Sequence, residues 1–238
     1  MTSTLSATEE RVRVALATVR DPELDEPITA LGFVASCTVA DDGHAEVRLR
    51  LPTYFCAANF AFLMVADAYD AVSATEGVSS VDVALLDHFA GEQINAGVAA
   101  RAGFVKSFEG EAVAELDTLR ADFLRKAVMA GTYQVCKPLR AQGMTPAELA
   151  RLTMGEIPDS AELARLRRRR AELGIPTGAD APLVIDPVTG GAVDVDALPL
   201  HLNRARLHKV GIDANTGICR GMLRHRYPEA AVEAKENE

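Results

Sequence analysis

The run "FVASCTVADDGHAEVRLRL", residues 33–51, constrains the fold more than any other part of the chain. Apolar and polar residues alternate on both sides of Asp41-Asp42-Gly43. Alternation is the period of a strand with one buried face, and an Asp-Gly pair supplies the turn that reverses the chain between two such strands. Antiparallel strands are therefore expected near residues 33–40 and 44–51.

The segments around this hairpin read as its partners. Residues 9–19, "EERVRVALATV", place Val12, Leu16 and Val19 on one face with charged positions opposite, which is the helical period. Pro22 and Pro27 end that pattern in "RDPELDEP". Ala58 to Val72 is rich in helix formers and ends before "SATEGVSS", and "SVDVALL", Ser80 to Leu86, alternates again as a third strand. The order α-β-β-α-β fills about 80 residues, a compact unit by ordinary domain sizes.

Beyond it the texture changes. Helical patterns occupy residues 91–101, 109–130, 145–152 and 159–173; the last two open on Thr145-Pro146 and Asp159-Ser160, good helix starts. "PLVIDPVTGGAVDV" reads as a small hairpin, and the tail "EAAVEAKENE" as a frayed end. The expected fold class is α+β: an α-β-β-α-β domain over residues 1–90, then a mainly helical, partner-binding extension over 91–238.

Composition narrows the function classes. The chain has 238 residues, 48% of them hydrophobic, and a net charge of -9, which disfavours attraction to nucleic acid or to an anionic membrane. No apolar run approaches the roughly 18 residues that a membrane span needs, and the N-terminus lacks a basic start before an apolar core. A cytoplasmic protein is expected. The local exception is "RLRRRR", Arg165 to Arg170, expected to form a solvated helix face paired to carboxylates, with partner docking as the sharper alternative. No phosphate-cradling or dinucleotide-binding glycine loop is present. Cysteines stand at 37, 56, 136 and 219 without a CxxC pair, and read as thiols in a reducing compartment. Cys37 and Cys136 read as packing residues.

Cys56 sits between the second strand and the helix that follows. A helix N-terminus offers free N–H groups and the positive end of a dipole, which suits a metal-binding or nucleophilic sulfur. A free cysteine is equally at home as a small buried hydrophobe. Position alone leaves both readings open. The nearest histidines in sequence are His44 and His88, so a cysteine–histidine enzyme requires a pairing in space that the sequence does not give.

Three pieces carry a resemblance: Asp21-Pro22-Glu23 after the first helix, Leu31-Gly32-Phe33-Val34 opening the first strand, and Thr53 with Cys56 after the second. With them, residues 9–90 resemble the small metal-sulfur cluster assembly factor family, which includes cytosolic iron-sulfur targeting factors and a phenylacetate-pathway oxygenase accessory protein. The resemblance implies the α-β-β-α-β fold, a role in assembling or delivering iron-sulfur clusters, and Cys56 as the residue that meets metal. Asp21, Glu23 and Thr53 are then the supporting loop residues. The family usually has Pro directly after this cysteine, whereas this chain has Ala57.

One sulfur does not complete a cluster site, which takes about four ligands. Transient binding of iron or an iron-sulfur cluster fits better, with the missing ligands coming from a client apoprotein, an external thiol or a second copy in a homodimer. A second candidate metal set is His201, His208, Cys219 and His225, mixed nitrogen and sulfur donors without a compact finger spacing. Their neighbours Arg204, Arg206, Lys209, Arg220, Arg224 and Arg226 favour an acidic docking partner instead. The expected function is that of a non-enzymatic maturation factor that holds metal at Cys56 and passes it to a client. The alternative is a metal-free assembly chaperone or adaptor for a multicomponent bacterial oxygenase.

Overall fold

The structure, a computed structural model, describes residues 6–228. The tail expected to fray, residues 229–238, lies outside the described residues. The first helix, α1 (Ala7–Leu16), starts where the Ser6 side chain accepts the Glu9 N–H, and it buries Val12 and Leu16. The hairpin follows as β1 (Val34–Val39) and β2 (His44–Leu49), paired antiparallel. Gly43 turns the chain at φ +84°, and a Cβ there would lie 2.7 Å from the Gly77 carbonyl oxygen, so only glycine fits.

Helix α2 (Ala58–Ser73) carries the chain across to β3 (Ser80–Leu85), which pairs parallel to β2 and completes a sheet of order β1-β2-β3. Its residues Ala61, Val65, Ala68 and Val72 recur at helical spacing and are all buried. On the sheet, Val47 pairs with Val83 and Leu49 with Leu85, and all four are buried. Apolar faces of two different periods thus meet in one core, which is the physical content of an α+β fold.

The chain divides into two compact units, and the first is larger than expected: it takes in the described residues up to Leu116 together with those from Asn215 onward. Helix α3 (Gly91–Ala99) belongs to it because Ile94 and Val98 are buried, and because the Asn95 amide accepts the Leu85 N–H at 2.8 Å and donates to the Leu85 carbonyl at 3.1 Å. The short α4 (Phe104–Ser107) follows.

The second unit spans Asp117–Ala214. It contains α5 (Asp117–Ala141), α6 (Pro146–Leu149), a 3-10 turn (Met154–Glu156), α7 (Ala161–Glu172) and the first part of α8 (Leu198–Arg226). Its core gathers Val128, Val135, Cys136, Leu149, Met154, Leu163, Leu166, Leu183, Leu198 and Leu202. The helix expected over 109–130 begins only at Asp117 and runs on to Ala141, with Gly110 at φ +85° interrupting the earlier stretch. The expected hairpin over 182–195 is a turn with one bridge, Ile185 to Ala192. Helix α8 agrees with the mainly helical character expected over 91–238, although no individual helix is expected there, because Gly211, Gly217 and Gly221 lower its intrinsic propensity.

The arginine run also differs from expectation. Arg170 is fully buried and donates to the Pro182 carbonyl at 2.8 Å and to the Leu183 carbonyl, while the 3% exposed Arg169 pairs with Glu172. Arg170 follows Leu163 and Leu166 at helical spacing, so it shares their inward face. Two members of the run are therefore part of the core and not of a solvated face. Among the described residues no helix is long and apolar enough to cross a membrane.

Candidate functional site

The site is built on the loop between β2 and α2 in the first unit. Cys56 is half-buried there, and the Thr53 hydroxyl lies 3.3 Å from its sulfur. Ala57, where the resembling family has proline, sits at φ -58° and ψ 125° as the residue before the helix. That φ is the one a proline ring would impose, so the loop keeps the backbone without the ring.

His88 follows β3 and secures the loop from below. The Ala90 N–H donates to its Nδ1 at 3.2 Å, which places the ring proton on Nε2, and Nε2–H donates to the Cys56 carbonyl at 2.8 Å. Burial lowers the His88 pKa, against the bond to the Cys56 carbonyl and with the Arg226 charge adding to it. His88 therefore meets the backbone of Cys56, and not its sulfur. A second bond, from the Phe89 N–H to the Tyr54 carbonyl at 3.1 Å, ties the same two loops together.

The Asp21-Pro22-Glu23 turn is held by its own acid. One oxygen of the 7% exposed Asp21 accepts the N–H of Glu23 at 2.9 Å and of Leu24 at 2.8 Å. Burial nevertheless outweighs those donors and, with the Glu23 charge, raises the Asp21 pKa to about 6.

The end of α8 supplies residues that sequence reasoning did not connect with this loop. Asn215 donates to Glu23 at 3.2 Å. Leu223 is buried, close enough to Gly32 that a Cβ there would lie 3.1 Å from it. Arg226 donates to the Leu51 carbonyl at 3.0 Å, to the Asp87 carbonyl at 2.6 Å and to the Asp87 carboxylate. Tyr227 stacks under Arg50 and Arg226, each 5.2 Å from its ring centre. Asn215, Cys219 and Leu223 follow one another at one-turn spacing, with Arg226 closing the same stripe. Cys219, half-buried, therefore lies on the same face of α8 as these three residues. Burial first, and then the charges of Asp21, Cys56 and Glu23, push its thiol up to about 11.

The second metal set expected from sequence is not a set. His201 and His208 belong to the second unit, and Cys219 and His225 to the first. All four lie on α8, where His201 and His208 are about 10 Å apart along the axis and Cys219 and His225 about 9 Å. Among the described residues no three His, Cys, Asp or Glu side chains converge as a metal group. Burial lowers the pKa of both His201 and His208. Cys37 and Cys136 are buried, and burial pushes the Cys136 thiol up to about 12.

Beside Cys56 the surface is aromatic. Phe55 is 77% exposed, Phe89 51% and Tyr54 44%. Phe55 stacks on Phe89 at 6.1 Å and meets Tyr54 edge-on at 5.0 Å, so the three form one patch. These exposed side chains are grouped and not scattered. The sequence carried a signal for it in "TYFC" and "HFA", where aromatic residues fall in loops and not in the apolar period of an element.

Comparison with known proteins bears on the N-terminal part of this unit. The family described as iron-sulfur cluster assembly protein matches residues 9–83. The uncharacterized protein MJ1129 of Methanocaldococcus jannaschii is 33% identical over 88 residues, which is 37% of this chain and 90% of the relative. No solved structure matches. The family match ends within β3, so α3 to α8 lie beyond it. Through its N-terminal α-β-β-α-β unit, the chain belongs to the iron-sulfur cluster assembly family.

Proposed function

We propose that the protein is a maturation factor that takes up iron or an iron-sulfur cluster as cargo at Cys56 and hands it to a client apoprotein. The observation that carries this reading is the position of Cys56. Its half-buried sulfur stands on a loop that Thr53, His88 and the Phe89–Tyr54 bond hold in place, beside an exposed aromatic patch. Family membership supports a role in iron-sulfur assembly. A thiolate is the ligand that iron-sulfur clusters take, and a partly open site lets a second protein reach the cargo. Tyr54, Phe55 and Phe89 would seat that client against the loop, which supports delivery over storage.

His88 gives its Nε2–H to the Cys56 carbonyl and its Nδ1 lone pair to the Ala90 N–H, so it offers no basic nitrogen to the sulfur, which supports a holding role over nucleophilic catalysis. The aromatic patch equally serves the second reading, a metal-free chaperone or adaptor for an oxygenase, because docking needs no sulfur. Anaerobic reconstitution of the full chain with ferrous iron and sulfide separates the two. Sulfur-to-iron absorbance and bound iron are expected for the wild type and largely lost in Cys56→Ser. Equal iron and equal absorbance in both proteins would sink the sulfur-centred reading.

A further inference from the structure

We infer that a cleft between α2 and α3 is a second binding site, and that it takes a small zwitterion with an apolar body: a free amino acid with an aromatic or branched side chain. The cleft lies within the first unit and has a volume of about 210 Å³. That is below the roughly 300–1,000 Å³ of sites for larger ligands, so it fits one ring or branched group and not a nucleotide-sized cofactor. Helix α2 contributes Phe62, Ala66, Tyr69 and Asp70, which share one face at helical spacing, and α3 contributes Val98. Phe62 and Val98 are buried, which makes the floor apolar.

The mouth of the cleft carries one charge of each sign. The side chains of Asp70 and Arg101 are exposed there; Arg101 Nη2 donates to Asp70 Oδ1 at 2.8 Å, and the guanidinium lies 5.5 Å from the Tyr69 ring centre. Arg101 holds this place in a backbone conformation that favours glycine. It follows α3 at φ +51°, with its N–H donating to the Val98 carbonyl and the Ala102 N–H to the Gly97 carbonyl, both at 2.9 Å. In this helix-ending turn the left-handed residue is usually glycine. A strained conformation occupied by a long charged side chain calls for a use of that side chain, and an exposed ion pair alone stabilises little. Among the described residues the pair takes up one nitrogen and one oxygen, which leaves Nε and Nη1 to donate to a carboxylate and Oδ2 to accept from an ammonium. A lone anion or cation binds weakly at such a mouth, because each meets its like charge beside its partner. An α-amino acid presents both charges on one carbon and turns its side chain to Phe62, Tyr69 and Val98.

An NMR titration of the nitrogen-15-labelled full chain with L-phenylalanine, hydrocinnamate and phenethylamine reads the two charges separately. Saturable shifts are expected at the amides of Tyr69, Val98 and Arg101. L-phenylalanine should bind about tenfold more tightly than hydrocinnamate, which lacks the ammonium, or phenethylamine, which lacks the carboxylate. Arg101→Gly should bind L-phenylalanine about tenfold more weakly and unfold at or above the wild-type temperature, since glycine accepts that backbone angle freely. Asp70→Asn, at an exposed helix position, should lose affinity to a similar degree. Shifts confined to other residues, equal affinity for the three compounds, or unchanged affinity in both variants would overturn the site.

Discussion

Asp21 is 7% exposed, and its carboxyl pKa is raised from 3.8 to about 6 because burial outweighs the two N–H groups that it accepts. A carboxyl whose folded pKa lies above its unfolded one binds more protons when folded over the interval between them. Asp21 therefore favours folding at about pH 4 and lowers stability as pH rises through 6, by an amount on the order of 2–3 kcal/mol. Asp21→Asn keeps the oxygen that accepts from Glu23 and Leu24 and removes the charge. Chemical denaturation at pH 4 and pH 7.5 should show the variant stabilised only at the higher pH; equal curves for both proteins at pH 7.5 would contradict the burial penalty. Ala57 gives a second expectation at this scale. With φ already at -58°, Ala57→Pro should stabilise by about 0.4–1 kcal/mol through the unfolded chain, measured as a raised Tm, whereas a lowered Tm would show that the loop does not accept the ring.

At the scale of elements, the end of α8 is held to the first unit chiefly through Arg226. Its hydrogen bonds to two carbonyls and one carboxylate are charge-assisted, and Arg226→Ala should cost about 1–3 kcal/mol. Hydrogen exchange should then rise from residue 215 onward while α2 and the sheet stay protected; uniform protection would place the anchor elsewhere. The same helix marks what was legible in the sequence. The hairpin, α1, α2 and β3 were readable because each carries its own period, and the Asp21 turn, Thr53 and Cys56 were readable because they are local to those elements. The position of Cys219 depends on a helix with three interior glycines and on contacts with Glu23, Gly32 and Asp87, which lie far away in sequence. His88 escaped for a related reason: it acts on the backbone of residue 56, and nothing in sequence spacing encodes that contact. The arginine run misled because charge was read without phase, although Arg170 falls in register with Leu163 and Leu166.

On the scale of the whole molecule, the family match accounts for residues 9–83, and the helices from α3 onward lie beyond it. The first unit holds Cys56, the Asp21 turn and the last turns of α8, which bond to Glu23, Leu51 and Asp87, and the aromatic patch stands beside Cys56. The proposed function joins these into one act, the passage of metal from Cys56 to another protein. Transfer can be followed directly by loading the full chain anaerobically with iron and sulfide, removing unbound metal by gel filtration, and mixing the product with an apo-ferredoxin while monitoring the acceptor's circular dichroism. The loaded wild type should mature the acceptor faster than equal amounts of free iron and sulfide, and Cys56→Ser should leave the column without iron. A Cys56→Ser protein that carries as much iron and matures the acceptor at the wild-type rate would contradict delivery through Cys56.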